Sequence, residues 1–301
     1  MHFFPRKHEK LISIMLPTRN RAGHLCAAID SCVSLAKDPS QLEFILKIDD
    51  DDIDTIRIAE KLEKLTNVKK IISPRGGGYY DIHKWLIEMT KISSGDWIFF
   101  FNDDARIRGQ NWDEVVLYIG NAEPWVGMSE ACLLYIPTEG RPFAQEFVMI
   151  RRGTFDILGN YGLSPHADNW MWSVMNFLGL VLTVPRVTVE HLSDRIGDKT
   201  RIESEAAYAH TIDSLISSAA KRKRLQDVDK LLTYMDKLES ELVWLDAPSS
   251  WGWCWWKPPD GKKMQHVIVD GVGNAAFLKQ GVPQKITPVK DLGGKWAMRT
   301  L

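Results

Sequence analysis

The stretch GDWIFFFNDDARIRG, residues 95–109, decides how the rest of the chain reads. Five apolar residues, Trp97 to Phe101, run straight into Asn102, Asp103 and Asp104. An unbroken apolar run is what a strand covered on both faces needs, as in a parallel sheet sandwiched between helices. Two carboxylates at its end must be solvated, paired or bound to a cation, because burying a bare carboxylate is very costly. Carboxylates without nearby cysteine suit a hard divalent cation. The bland alternative is an acidic surface turn paired with Arg106 and Arg108.

Working outward, LISIML (11–16), EFILKI (43–48) and VKKIIS (68–73) are three more short apolar runs that read as strands. Helical spacing lies between them, from Ala22, over Ile56–Leu65 and over Ile82–Ile92. Strands alternating with helices make βαβ units and a mostly parallel sheet flanked by helices, hence an α/β fold. Ligands of such sheets sit at the carboxyl ends of the strands. Those ends carry PTRNR (17–21), the acids Asp49 to Asp52, PRGGG (74–78) and NDD (102–104), so all converge on one crevice.

Past residue 110 the rhythm loosens. Helices are expected at Trp112–Ile119 and Asp168–Leu178, and strands at Ala131–Ile136, at Glu146–Ile150 and within LVLTVPRVTVEHL (180–192), broken at Pro185. Residues 203–245 read as a long polar helical region with a basic cluster, Lys221 to Arg224. The alternating Trp251, Trp253 and Trp255, a Pro-Pro-Asp-Gly turn and MQHVIVD predict a β-hairpin. The chain thus divides into residues 1–200 and a helical and hairpin extension, 201–301.

With 301 residues, 45% apolar and 26% charged, the composition is that of a soluble globular protein, and a net charge of -1 gives no overall pull toward nucleic acid or anionic membrane. Cys26, Cys32, Cys132 and Cys254 lack C-x-x-C spacing, which excludes the usual zinc patterns and fits reduced thiols in the cytoplasm. MHFFPRKHEK at the start does not read as a signal peptide, and no run reaches the length of a membrane span.

Individually the motifs are permissive. DDDDID (49–54) lacks the glycine of a calcium loop and serves at least as a cap for the next helix. The three glycines of PRGGGYYD (74–81) match no nucleotide fingerprint and read as a loop. Their order says more. PTRNR, then IDDDDID, then an Arg-Gly loop, then FFFNDDA resembles the GT-A fold glycosyltransferases, especially the large family 2 group, over about residues 11–195.

That resemblance implies a Rossmann-like GT-A domain, a nucleotide-diphosphate sugar donor (a UDP-sugar above all) and Mn²⁺ or Mg²⁺. Carried over position by position, Pro17, Thr18, Arg19 and Arg21 line the nucleotide pocket, Asp49 or Asp50 accepts a hydrogen bond from the base, and Arg75 lies against base or ribose. Asn102 and Asp104 take the outer places of the Asp-x-Asp (DXD) motif, with Asp104 the direct metal ligand and Asp103 a ribose or second-layer partner. His191, in VEHLSD, matches a late histidine that many relatives give to the metal, and Asp168, in HADNW, matches the base that deprotonates the acceptor in inverting transfer. Two departures stand out: Asp51 and Asp52 replace the usual Gly-Ser, and Asn102 replaces the first Asp, leaving one negative charge fewer on the cation.

The expectation is therefore a metal-dependent glycosyltransferase that moves a sugar to an acceptor hydroxyl. The acceptor stays open between a glycan, a lipid-linked sugar, a protein and a modified DNA base, and a homo-oligomer is compatible. A nucleotidyltransferase and a non-catalytic sugar- or nucleotide-binding module are the competing readings.

Overall fold

The computed structural model describes residues 11–122, 131–141, 144–184, 186–192, 197–211, 215–240, 243–245, 252–257, 265–269, 274–279, 282–288 and 295–298. The first half runs β1 (Ile12–Thr18), α1 (Ala22–Ser34), β2 (Leu42–Asp49), α2 (Ile53–Leu62), β3 (Val68–Ser73), α3 (Ile82–Ile92), β4 (Trp97–Phe100) and β5 (Ala105–Arg108). It continues with α4 (Trp112–Ala122), β6 (Leu133–Tyr135), β7 (Val148–Arg151), α5 (Arg152–Leu158), α6 (Ala167–Phe177), β8 (Val181–Thr183) and β9 (Thr188–His191). Two helices follow, α7 (Lys199–Thr211) and α8 (Ser218–Ser240). The chain then forms β10 (Val243–Leu245), β11 (Gly252–Lys257), β12 (Gln265–Val269), β13 (Asn274–Lys279), β14 (Val282–Pro288) and β15 (Lys295–Met298).

The central sheet has the order β3-β2-β1-β4-β7-β6-β8. Strands β3, β2, β1 and β4 run parallel, β7 is antiparallel to both neighbours, and β6 pairs parallel with β8. The α/β class with a mostly parallel sheet is thus observed. A sheet covered on both faces explains the apolar runs. Every residue of β2 and β4 is buried. Phe99 packs against Phe101 and Trp112, while Phe100, facing the other way, meets Tyr161 edge-on at 4.9 Å. Fully burying such a side chain contributes about 1.5–3 kcal/mol.

Glu43, buried on β2, accepts from the Ser94 and Gly95 backbone N–H groups and from the Ser13 hydroxyl, tying the start of β4 to β1. Gly95 sits where a Cβ would lie 2.3 Å from Ser13 Oγ. A side chain there cannot fit.

A separate two-stranded ribbon, β5 with β9, sets His191 opposite Ala105, beside Asp104. Its register is locked by the Leu192 N–H donating to the Asp104 carbonyl at 2.9 Å.

Two expectations are corrected. Residues 203–245 are not one helical region: α7 ends at Thr211, α8 starts at Ser218, and Val243–Leu245 is a strand. The tail is more than a hairpin. The β11–β12 pair is present, but it belongs to a six-stranded antiparallel sheet of order β10-β15-β11-β12-β13-β14. Strand pairing across residues far apart in sequence, β10 with β15, has no local signature. Trp251 and Pro185 lie outside the described residues. Among the described residues no helix is long and apolar enough to cross a membrane.

The basic cluster is largely structural. Lys223 pairs with buried Asp227, and Arg224 lies over the Trp170 ring at 5.1 Å, so of the four only Lys221 and Arg222 are exposed.

Candidate active site

A cavity of about 550 Å³ opens at the carboxyl ends of β1, β2 and β4. Of the residues singled out from sequence, Pro17, Thr18, Arg19, Arg21, Asp49, Arg75, Asn102, Asp103, Asp104, Asp168 and His191 line it. Asp50 does not. It is exposed, its backbone N–H bonds to the Ser73 carbonyl, and the expectation that it faces the pocket is corrected in favour of Asp49.

The acid run divides its labour. Asp49, at the end of fully buried β2, is held through one oxygen by Lys47 at 2.9 Å and through the other by Arg19 at 2.7 Å. Asp51 grips the same Arg19 bidentately, at 2.5 and 2.9 Å. Asp52 is the N-cap of α2, accepting from the Thr55 N–H at 3.2 Å. The capping reading therefore holds for Asp52. Asp49 and Asp51 instead fix a guanidinium at the cavity wall.

The glycine loop does not offer a phosphate cradle. The Gly77 N–H bonds to the Asp81 carboxylate at 2.7 Å and the Gly78 N–H to the Arg75 carbonyl at 3.1 Å. Gly76 and Gly78 adopt φ of 58° and 59°, the left-handed region that glycine enters without strain. The loop serves to present Arg75, which ion-pairs with Glu203 of α7.

Asp103 and Asp104 are 5% and 4% exposed, so something must compensate them. Asp103 accepts from Thr18 Oγ1 at 2.7 Å and from Arg21 at 3.1 Å. Burial and the neighbouring Asp104 charge nonetheless push its carboxyl up from the ordinary range. Asp104 meets Arg21 at 3.3 Å and His191 Nε2 at 3.2 Å. Burial works against its charge too, but the bond to His191 and the charges of His191 and Arg21 outweigh it and hold Asp104 low. Arg21 also forks onto Asp198, just before α7, with both contacts at 2.8 Å.

His191 lies between two carboxylates, with Nε2 on Asp104 and Nδ1 3.1 Å from Glu146. Burial alone would lower its pKa, but the two acids win and push it up to about 9. The Asn102 amide lies 3.4 Å from the same Nε2.

Does this set fit a divalent cation? Among the described residues no group of three or more acids, histidines or cysteines stands ready to hold one. Two donors do fit. Adjacent positions on an octahedral ion with bonds of about 2.1 Å lie about 3.0 Å apart, close to the 3.2 Å between Asp104 Oδ1 and His191 Nε2. Such an ion would take its other ligands from water and phosphate oxygens, as magnesium-like ions usually do.

Asp168 stands apart. It lies in the first turn of α6, whose N-cap is His166 rather than Asp168. Its carboxylate accepts from the Asn169 N–H at 2.7 Å, and among the described residues no cation pairs with it. Burial, with a contribution from the Glu146 charge, raises its pKa to about 6. A carboxylate with that poise is suited to take a proton. Glu146 is not: His191, Arg141 and Thr138 occupy it and keep its pKa low despite burial.

Several lining residues were not foreseen: Glu146, Arg141, Tyr79, and Arg201 and Tyr208 from α7. For Asp198 the N-cap pattern before α7 was a usable signal, since it accepts from the Arg201 N–H at 2.8 Å. His166, two residues before Asp168, is buried and bonded to Thr211 Oγ1 at 3.0 Å, with its pKa lowered by burial.

No family model and no curated protein matches this sequence. Among solved structures the chain is similar to S. aureus TarS 1-349, at 15% identity and a TM-score of 0.49 over 74% of this chain and 70% of that one. It is also similar to the mannosyltransferase PcManGT from Pyrobaculum calidifontis, solved with GDP-Man and Mn²⁺, at 13% identity and a TM-score of 0.49 over 78% and 76%. A third is glucosyl-3-phosphoglycerate synthase from Mycobacterium tuberculosis, solved with Mn²⁺, UDP and glucosyl-3-phosphoglycerate, at 16% identity and a TM-score of 0.43 over 65% and 78%.

Proposed function

We propose that this chain is a GT-A-type glycosyltransferase that moves a sugar from a nucleotide-diphosphate sugar to an acceptor hydroxyl with inversion. The observation that carries it is one cavity that brings together guanidinium groups (Arg19, Arg21 and Arg75 among them), the Asp104–His191 pair and the acid Asp168, whose pKa is raised to about 6 chiefly by burial. Arginines suit the phosphates of a donor because their planar forks match two oxygens at once. Asp49, presented by Lys47 and Arg19, is the acceptor for a base N–H, and UDP is the favoured carrier.

Asp104 and His191 would hold Mn²⁺ or Mg²⁺, which neutralises charge developing on a diphosphate leaving group. The chain's own residues do the rest. Asp168 takes the proton of the acceptor hydroxyl as its oxygen bonds to the anomeric carbon and the bond to the diphosphate breaks. Arg19 and Arg75 steady the departing nucleotide. Residues 1–200 form the catalytic unit in this reading, with α7 supplying one wall of its cavity from residues 201–301. We place the protein in the cytoplasm, with the acceptor class and any homo-oligomer to be found by experiment.

The guanidinium of Arg21 on both Asp103 and Asp104 favours a second reading, a non-catalytic nucleotide-binding module whose acids need no metal. Hydrolysis of a panel of nucleotide sugars with and without Mn²⁺ separates the two. Metal-stimulated turnover that is lost in Asp104→Ala and retained in part by Asp51→Ala supports the transferase. Binding of a nucleotide without turnover supports the module, and no binding at all ends both.

A further inference from the structure

We infer that Glu146 is a positioning residue that fixes the His191 ring so that Nε2, together with Asp104, forms a ready half-site for a divalent cation; this rests on the cation site proposed above. Four groups cluster across the cavity, Arg141, Glu146, His191 and Asp104, with Arg141 Nη2 also 3.2 Å from His191 Nδ1. Glu146 Oε2 is 3.1 Å from His191 Nδ1 and also accepts from Thr138 Oγ1 at 3.1 Å, while Oε1 meets Arg141 Nη1 at 3.2 Å. Both carboxylate oxygens are thus anchored, and the anchor points at one ring nitrogen.

The rest of the ring's surroundings restrict it further. Phe147 stands edge-on to His191 at 5.2 Å, and the β5–β9 register places the backbone of residue 191 opposite Ala105. With backbone, ring face and Nδ1 each constrained, Nε2 has one direction left, toward Asp104. A carboxylate on the far nitrogen of a metal-binding histidine fixes its tautomer and raises its basicity, and losing such a partner typically weakens metal affinity about 10–100-fold. Glu146 lies 45 residues from His191 in sequence, so nothing local in EFVMI betrays the role.

The test is Mn²⁺ retention, read by the electron paramagnetic resonance signal of free Mn²⁺ during titration of the protein in saturating UDP. Metal-free UDP affinity is measured alongside by calorimetry, and folding by thermal melts. Glu146→Ala is expected to weaken Mn²⁺ retention about 10–100-fold with metal-free UDP affinity unchanged. Glu146→Gln, whose amide oxygen still accepts from Nδ1, should lose less. Unchanged retention in Glu146→Ala overturns the inference. Should the alanine variant fail to fold, Glu146→Leu, which fills the space but cannot accept from Nδ1, decides in its place, and wild-type retention in it overturns the inference equally. A wild-type protein that binds UDP but holds no Mn²⁺ refutes the half-site while leaving the donor reading standing. Failure to bind UDP at all refutes that reading first.

Discussion

Replacing Asp168 with Asn should make this protein more stable and less active at once. The carboxyl has its pKa raised to about 6, with burial the leading cause, against 3.8 for a free side chain. A carboxylate whose folded pKa exceeds its unfolded one binds protons more tightly when folded. Its charge therefore destabilises the fold in full above pH 6, and the penalty fades as pH falls toward 4. A shift of about 2 units corresponds to about 3 kcal/mol. Asp168 is only half-buried, and water in the cavity screens it, so about 1–2 kcal/mol is the realistic gain from Asp168→Asn at pH 8. At about 2–4 °C per kcal/mol for a chain of this size class, the melting temperature should rise by roughly 2–8 °C. The gain should shrink toward zero at pH 4.5, where the wild-type carboxyl is protonated. Transfer should fall about 10²–10⁴-fold if the group is the base, and wild-type turnover should climb as pH rises through 6. Melts of both proteins at pH 8, 6 and 4.5, with turnover on the same samples, check all of this. A variant that melts lower at pH 8, or that keeps wild-type turnover, refutes the reasoning.

Arg21→Ala leaves three carboxylates around an empty place and should cost about 3–5 kcal/mol in urea unfolding. Arg21→Lys, which keeps a charge, should cost less, and equal losses would show that charge is not what matters. Glu203→Gln frees Arg75 from a half-buried ion pair of about 0.2–1 kcal/mol. UDP affinity by calorimetry should then rise up to about fivefold, and a fall would mean that Glu203 contacts the ligand itself. Gly95→Ala would drive a Cβ to 2.3 Å from Ser13 Oγ and 2.8 Å from the Leu11 carbonyl. A loss of about 1–3 kcal/mol or more is expected from that overpacking, and a melt within 1 °C of wild type would refute the steric reading.

Much of the first half was legible because its signals are local. A run such as WIFFF states its burial directly, and the change from apolar to charged residues marks each strand end. Even there the reach of a single side chain was hard to read. Asp49 faces the cavity from the last position of β2, whereas Asp50 already stands in the exposed turn beyond it. The rest depended on pairings with no short-range trace. Arg21 meets Asp198 across 177 positions, and His191 meets Glu146 across 45. The tail followed the same rule. Local alternation disclosed the β11–β12 hairpin, while the closing of β10 onto β15 had nothing nearby to announce it.

The reversal of direction between β4 and β7 has a further consequence. Most of what would grip the proposed donor, from Pro17 to Asp104, is laid down before that reversal, whereas Asp168, the α7 wall and the Glu146–His191 half of the proposed cation site come later in the chain. In the proposed reading the donor grip and the acceptor base are thus written on stretches of polypeptide that meet only in space, with the cation site joining the two. Loops and helices of the later stretch are free to diverge toward new acceptors while the earlier grip stays as it is.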